Sequence, residues 1–149
     1  MIVTKPYMQL ALEQARLAAE LNEVPVGAVV VCQDEVIATA HNEVEALNDA
    51  TAHAELLALR RASKKLGRWR LNDCELFVTL EPCTMCIGAL ILARISKLYF
   101  GAYDERAGAV GSLYNIAEIL GEVYGLKVYP EILADECASL LQEFFKSRR

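Results

Sequence analysis

Two short motifs rich in metal-ligating side chains constrain the fold of this chain more than any other feature of its sequence. The first is His53-Ala54-Glu55, and the second, further along the chain, is Pro82-Cys83-Thr84-Met85-Cys86. Cys83 and Cys86 are three residues apart, so they share a face if the segment is helical. With Pro82 at the first helical position, both thiols fall in the opening turn, where free N–H groups and the helix dipole favour the zinc-binding thiolate. The spacing therefore predicts a helix start that presents two metal ligands.

The first motif predicts a second helix start close to the same metal. Residues two apart point to nearly opposite sides of a helix, so a metal beside the helix cannot be reached by both His53 and Glu55. A metal just beyond the helix N-terminus can be reached by both. Thr51 is a suitable N-cap residue, and the pattern after it predicts a helix to about Leu66. We therefore expect two helix N-termini to converge on one cation.

Counting the ligands indicates what kind of metal site this is. His53, Cys83 and Cys86 supply three ligands, whereas a structural zinc site usually has four and a catalytic site keeps one position for water. Zinc lowers the pKa of such a water towards ~7. Glu55 is a poor fourth ligand for a thiolate-rich site and suits a general base that takes the proton of the water and passes it to the substrate. The pattern predicts a zinc-dependent hydrolytic enzyme.

Other interpretations of these residues stay open at this point. A C-x-x-C pair also occurs in thioredoxin-like redox proteins, although a redox pair needs no histidine. Each of the residues, taken alone, is also typical of an ordinary helix or core position. A closed structural zinc site would take its fourth ligand from Cys32, Cys74, Cys137 or His41. Of these, Cys137 lies on the apolar stripe of a helix and Cys32 in an apolar strand, so both are expected in the core.

Strands alternate with helices along all 149 residues, without a repeat or a linker. Helices are predicted over residues 6–21, 51–66, 82–93 and from about 135, and strands over residues 24–32, 36–40, 75–80, 96–100 and 126–129. The run Val24–Cys32 is continuously apolar and rich in valine, as in a strand buried on both faces, and residues 101–112 form a Gly-rich loop. The alternation predicts one α/β domain over residues 1–149.

Composition and cysteine usage bear on the location of the protein. No apolar run reaches the roughly 18 residues of a membrane span, and the N-terminus lacks a basic region followed by an apolar core. Five cysteines, an odd number without an export signal, argue against a disulfide framework. We expect a cytoplasmic protein with no membrane association.

At these motifs the sequence resembles the cytidine deaminase-like superfamily, whose signature is H-x-E followed by P-C-x-x-C. Within that superfamily it is similar to the bacterial tRNA-specific adenosine deaminases over nearly the whole chain. The similar segments are Glu23–Val30, His41-Asn42, Thr51–Glu55, Thr79–Cys86, Gly101–Ser112 and Glu136–Phe145. The metal motif marks the superfamily, whereas Gly101–Ser112 and Phe144-Phe145 point to the tRNA branch.

The resemblance implies a fold and a metal site. The fold is a three-layer α/β/α sandwich with a central, mixed five-stranded sheet. One zinc ion per chain is held by His53, Cys83 and Cys86, and Glu55 is the proton shuttle.

The resemblance also implies a substrate and an assembly. The expected enzyme is a homodimer that converts adenosine to inosine at the wobble position of a tRNA anticodon stem-loop. Asn42 hydrogen-bonds the base, and Asp104 belongs to the loop that lies along the RNA. From the residues alone, an Asn after a strand or an Asp in a Gly-rich loop is as typical of a turn.

RNA binding by a chain with a net charge of −5 requires a local basic surface. Six basic residues without an intervening acid are Arg60, Arg61, Lys64, Lys65, Arg68 and Arg70. Three more, Lys146, Arg148 and Arg149, follow Phe144 and Phe145, and aromatic rings beside cations suit base stacking and phosphate contact. The simpler alternatives are a solvated helix face and two core phenylalanines.

Two other functions remain open from the sequence. The first is a zinc-dependent deaminase of a free nucleobase or nucleoside, of the cytosine, guanine or cytidine type, which needs the same metal chemistry. The second is a non-catalytic interaction module stabilised by zinc, which Glu55 and the count of three ligands disfavour.

Overall fold

A mixed five-stranded sheet forms the centre of the fold in a computed structural model of the chain, which describes residues 4–148. In chain order the strands are β1 (Gly27–Cys32), β2 (Glu35–His41), β3 (Cys74–Leu80), β4 (Lys97–Ala102) and β5 (Lys127–Tyr129). Across the sheet their order is β2-β1-β3-β4-β5, with β1 antiparallel to both of its neighbours and β3, β4 and β5 parallel. The predicted five-stranded mixed sheet is confirmed.

Helices cover both faces of this sheet. They are α1 (Lys5–Glu20), α2 (Val44–Leu47), α3 (Ala54–Leu66), α4 (Thr84–Leu92), a π-helical turn (Ala117–Gly121), α5 (Glu122–Tyr124) and α6 (Ala134–Lys146). Helices α1 and α6 pack on one face, and α3 and α4 lie on the other. The molecule therefore has the three layers that the resemblance implies.

Strand β1 is buried along its whole length, as its apolar sequence predicts. Its side chains alternate between two cores, because successive residues of a strand point to opposite faces. Ala28 and Val30 face the core that contains α3, whereas Val29 and Val31 face the core that contains α1.

The topology brings three chain segments to one edge of the sheet. Because β1 is antiparallel to both β2 and β3, strands β2, β3 and β4 all run in the same direction. Their carboxyl ends lead to Asn42, to Glu81-Pro82-Cys83 and to the segment that begins at Tyr103. In open α/β sheets, ligand sites form outside the carboxyl ends of the strands, so this edge is where a site is expected.

Several predicted boundaries differ from the structure. The strand predicted over 24–32 begins only at Gly27, because Pro25 has no N–H for the ladder and the N–H of Val26 donates to the carbonyl of Val24. The predicted loop from residue 42 to 50 contains the short helix α2, and β4 extends two residues into the predicted loop 101–112. The turns at 117–124 were not predicted, since their apolar side chains Ile119, Leu120 and Val123 are exposed and follow no core-facing pattern.

Within residues 4–148, no helix has the length and apolar character needed to cross a bilayer.

Candidate metal and active site

The two cysteines of the second motif lie at the start of α4, Cys83 just before its first turn and Cys86 within it. Cys83 occupies the N-cap position with extended backbone (φ −78°, ψ 176°), and the helix begins at Thr84. The prediction that Pro82 opens the helix is therefore wrong by two residues. The first turn closes when the N–H of Ile87 donates to the carbonyl of Cys83 at 2.9 Å. Cys86 falls in that turn, so both thiols face the region just beyond the helix N-terminus.

The histidine of the first motif also occupies an N-cap position. His53 has extended backbone (φ −76°, ψ 150°) and α3 begins at Ala54, so the prediction of Thr51 as the cap is wrong. The hydroxyl of Thr51 instead donates to Oδ1 of Asp49 at 2.7 Å. The N–H of Ala54 donates at 2.8 Å to the side-chain oxygen of Asn42, which supplies the missing acceptor from the end of β2.

The three predicted ligands meet between these two helix starts. Nδ1 of His53 lies 3.7 Å from Sγ of Cys83 and 3.5 Å from Sγ of Cys86. Zn–S bonds of ~2.3 Å and Zn–N bonds of ~2.0 Å in a tetrahedral arrangement separate N and S by about 3.6 Å. The donor set and its spacing therefore fit a zinc ion.

The protonation of the two thiols also suits metal binding. A hydrogen bond from Cys86 lowers the pKa of Cys83 to about 4, and the same contact raises the pKa of Cys86. The hydrogen bond with Cys83 raises the pKa of His53. The lowered pKa of Cys83 favours its thiolate, the form in which a cysteine binds a metal ion.

Glu55 is a buried carboxylic acid beside these ligands. It lies in the first turn of α3 and contacts Cys86. Burial raises the pKa of Glu55 to about 7. A carboxyl group with a pKa close to neutral pH can both accept and release a proton during a reaction.

A cavity of about 750 Å³ opens over this group, at the predicted edge of the sheet. His53, Glu55 and Cys83 line it, together with Asn42 and Asp104. Because the oxygen of Asn42 already accepts from Ala54, its NH₂ group is the part left for a ligand. Oδ1 of Asp104 accepts the N–H groups of Arg106 and Ala107 at 3.0 and 3.2 Å, so this oxygen caps its own turn.

The C-terminal helix forms one wall of the cavity. Phe144 and Arg148 line it, and the guanidinium of Arg148 lies 3.9 Å from the centre of the Phe144 ring and 2.8 Å from Oδ1 of Asn22. Phe145 is 47% exposed, so the alternative that both phenylalanines belong to the core is wrong for this residue. Arg149 lies outside the described residues.

Some basic residues of α3 and the following loop form ion pairs with acidic side chains, and others are exposed to solvent. Arg61 bridges to Glu43 at 2.9 Å, and Arg68 binds both carboxylate oxygens of Asp73 at 2.7 and 2.9 Å. Lys64 and Lys65 are exposed, but they lie 11 and 12 residues along the chain from His53, which on a helix is about 17 Å. The tail is thus the basic segment nearest the cavity.

The candidate fourth ligands lie elsewhere. Cys137 is on the buried face of α6, and Nδ1 of His41 lies 2.8 Å from the carbonyl of Asn42. Cys32 and Cys74 are partners in the β1–β3 register, at the opposite end of the sheet, where they form a second group with Asp73. In the part of the chain that the structure describes, the group around His53 has three members, which disfavours a closed structural site.

Sequence reasoning assigned no role to two buried acids at the rim of the cavity. Glu23 accepts the N–H groups of Glu45 and Ala46 at 3.0 and 2.7 Å, and so holds the start of α2. Glu81 accepts donors from the loop after β4. The available signal was an acidic residue one or two positions before a proline, at the edge of an apolar segment, and it does not identify the partners.

A three-layer sandwich in which two helix N-termini bring His53, Cys83 and Cys86 beside a buried glutamate defines a deaminase of the cytidine deaminase-like class. The sequence matches the MafB19-like deaminase family over residues 3–149. A tRNA-specific adenosine deaminase from Aquifex aeolicus (strain VF5) is 46% identical over 145 residues, covering 96% of this chain and 94% of that protein.

Solved structures show the same relationship. One, from studies of A-to-I editing by tRNA:A34 deaminases at the wobble position of transfer RNA, is 45% identical with a TM-score of 0.88, covering 91% of this chain and 99% of that chain. A guanine deaminase from Nitrosomonas europaea is 29% identical with a TM-score of 0.85, covering 97% of this chain and 85% of that chain. The chain belongs to the family of bacterial tRNA-specific adenosine deaminases.

Proposed function

We propose that this chain hydrolyses adenosine to inosine at the wobble position of a tRNA anticodon, releasing ammonia. The observation that carries the proposal is a single cavity lined by His53, Cys83 and buried Glu55 and also by residues of the C-terminal segment, Phe144 and Arg148. The similarity to tRNA-specific adenosine deaminases supports adenosine in RNA as the substrate. A tRNA substrate also agrees with a cytoplasmic location.

One zinc ion per chain is proposed for the group formed by His53, Cys83 and Cys86. When bound, zinc supplies Lewis acidity that makes water a nucleophile near neutral pH. The spacing of the nitrogen and the two sulfurs supports this assignment. The N-cap positions of His53 and Cys83 support a site just outside the ends of the two helices, where a substrate can enter from the cavity.

Glu55 is proposed to move the protons of the reaction. Its carboxylate accepts a proton from the attacking water and delivers protons to the base and to the leaving amine, so that adenosine and water give inosine and ammonia. Its position at the base of the cavity and its raised pKa support this role.

Asn42 and Asp104 are proposed to bind the substrate. The NH₂ group of Asn42 faces the cavity side of the α3 N-terminus and is suited to donate to an acceptor on the base. Asp104 lies on the cavity wall, and with one oxygen used in its own turn, the other is the candidate for an RNA contact.

Phe144, Arg148 and the neighbouring Lys146 are proposed to contact the RNA around the target nucleotide. An aromatic ring under a guanidinium, at the wall of the site, suits a stacked base and its phosphate.

The predicted preference for RNA can be measured with the zinc-loaded protein. We expect kcat/KM for a hairpin with adenosine at the wobble position to be far higher than for free adenosine, cytidine or guanine. A loop base is already partly unstacked, and contacts remote from the base can contribute binding energy at the reacting centre. Because those contacts involve phosphates, kcat/KM for the hairpin should fall steeply as salt rises.

Variants that remove positive charges test which basic surface causes this salt dependence. Changing Lys146 and Arg148 to glutamine should raise KM for the hairpin, with zinc content unchanged, and should reduce the salt slope by about one for each lost phosphate contact. Changing Lys64 and Lys65 to glutamine removes the same charge from the distal end of α3 and should have no such effect. Equal efficiency with free nucleoside or base contradicts the RNA proposal and favours the nucleobase deaminase, which the likeness to a guanine deaminase supports.

A homodimer is proposed on the basis of an exposed apolar surface. Large apolar side chains are exposed on the end of α4, the loop before the π-helical turn, and the turns at 117–124: Leu92, Leu113, Ile119, Leu120 and Val123. The end of α4 and these turns are neighbours because α4 packs against the π-helical turn. An apolar surface of this kind on a small protein marks an interaction site, and a second copy is the occupant that fits a symmetric, apolar interface.

Light scattering after gel filtration tests this proposal. We expect a mass of about 33 kDa, twice the 16.5 kDa of the chain. The double change Ile119→Lys and Val123→Lys should shift the mass towards that of one chain, because charges do not pack in an apolar interface. Leu17→Lys, an exposed leucine of α1, is the control and should leave the dimer intact. A monomeric wild-type protein contradicts the proposal.

A further inference from the structure

Glu81 is a buried carboxylate held by donors from one distant loop. It lies between the end of β3 and Pro82 and is 2% exposed. Its Oε1 accepts the N–H of Asp104 at 2.9 Å and the hydroxyl of Ser112. Its Oε2 accepts the N–H groups of Val110 and Ser112 at 2.9 and 3.1 Å. Four donors of the segment 103–112, which we call the pocket loop, thus converge on a single side chain.

The pocket loop is also joined to the backbone beside the metal ligands. The N–H of Ala109 donates to the carbonyl of Pro82 at 2.9 Å, and Gly108 forms a β-bridge with Cys83. A Cβ atom at Gly108 would lie 2.2–2.4 Å from the carboxylate of Glu81, so the loop backbone rests directly on this group. Glycine is required there for a close approach, not for its backbone angles.

The chemistry of these contacts makes them strong. Burying a carboxylate is costly unless its oxygens are hydrogen-bonded, and hydrogen bonds to an ionised acceptor are stronger than those between neutral groups. Here the donors are three backbone N–H groups and one hydroxyl. The loop therefore cannot move away from Glu81 without leaving a buried charge without partners.

We propose that Glu81 is the positioning residue that holds the pocket loop at a fixed distance from Cys83, and so sets how well an RNA hairpin fits the site. Asp104, Ala107 and Glu81 all line the cavity, and Glu81 follows β3 directly into the metal motif. Both oxygens of Glu81 already accept donors from the pocket loop. Glu81 acts on substrate binding through the loop and takes no part in proton transfer. This inference rests on the RNA substrate proposed above.

The variant Glu81→Gln tests the role with little change in shape. The new NH₂ group costs least at the Oε1 position, because the hydroxyl of Ser112 can turn and accept from it. In that orientation the N–H of Asp104 loses its acceptor, while Val110 and Ser112 keep theirs. The change is therefore expected to release the loop at Asp104, next to the cavity.

We expect Glu81→Gln to raise KM for the hairpin about tenfold, the effect of losing one hydrogen bond to a charged group. The value of kcat and the zinc content should stay close to those of the wild type. Hydrogen exchange at the amide of Asp104 should become faster, because its protection depends on this acceptor. Ser112→Ala, which removes only the hydroxyl donor, should give a smaller rise in KM with kcat again unchanged.

The same substitution near the start of β3 serves as the control. Glu75 lies at the other end of the strand, partly exposed and 3.9 Å from Lys97, so Glu75→Gln should change neither KM nor the exchange of Asp104. An unchanged KM in Glu81→Gln, or a loss of kcat or zinc without a rise in KM, overturns the inference. If the wild-type protein shows no preference for the hairpin over free adenosine, the proposed function fails, and the exchange of Asp104 still decides whether Glu81 holds the loop.

Discussion

Changing Glu55 to glutamine should lower kcat by about 10²–10⁴-fold, the usual contribution of a general acid–base group, while the protein keeps its fold and its zinc. Glutamine has nearly the same shape as glutamate, so it fills the buried position without a cavity, but it can neither accept nor deliver the proton. The measurements are single-turnover rates with the hairpin, zinc content by metal analysis, and the thermal unfolding midpoint.

Two outcomes for Glu55→Gln would contradict this assignment. Near-normal turnover would show that another group moves the protons. A loss of zinc would show instead that Glu55 is a ligand, although the structure places it beside a group of three other ligand side chains. Glu75→Gln, the same change at a partly exposed residue near the start of β3, provides the control for the loss of one negative charge.

Changing Cys83 to alanine should remove most of the zinc, which we expect at about one ion per chain in the wild type. Alanine offers no ligand atom, and the two remaining ligands leave a weak site, because zinc sites in proteins use three or four protein ligands. Metal analysis after dialysis against a mild chelator measures the loss. Activity with the hairpin should fall in parallel with the zinc content.

The second cysteine group gives a matched control for this experiment. Cys32 and Cys74 also lie close to a carboxylate, that of Asp73, but Arg68 binds both oxygens of that carboxylate and its guanidinium lies 4.0 Å from Sγ of Cys32. Burial raises the pKa of Cys74 to about 12, so its thiol stays protonated. Cys32→Ala should therefore keep the zinc. If zinc were lost from Cys32→Ala and kept by Cys83→Ala, the metal assignment would be wrong.

The meeting of His53, Cys83 and Cys86 could be predicted from the sequence because these residues occur in short motifs at helix starts. Spacing and ligand chemistry within the two motifs indicate one shared cation without knowledge of the rest of the fold. The exact caps could not be predicted in this way. The acceptor for Ala54 comes from Asn42, at the end of a strand, and this tertiary contact makes Thr51 unnecessary as a cap.

The parts that sequence reasoning missed depend on partners far along the chain. In the sequence, Glu81 is one acidic residue before a proline. Its backbone donors lie 23 to 31 residues away, and the identities of their side chains do not reveal these contacts. The turns at 117–124 expose their apolar residues, so no periodic pattern marks them. The alternation of strands and helices, by contrast, follows from local hydrophobic patterns and was predicted within a few residues at most boundaries.

The site has two parts: a floor at the starts of α3 and α4, and a rim formed by α2 and the pocket loop. Glu23 holds the first rim segment and Glu81 holds the second. His53, Cys83, Cys86 and Glu55 lie at the starts of α3 and α4. Helix α2 and the pocket loop each direct backbone donors at one buried acid. Each rim segment can therefore be exchanged together with the acid that holds it, while the residues at the helix starts are kept. The two rim segments are therefore the places to randomise when a variant with a different substrate is sought.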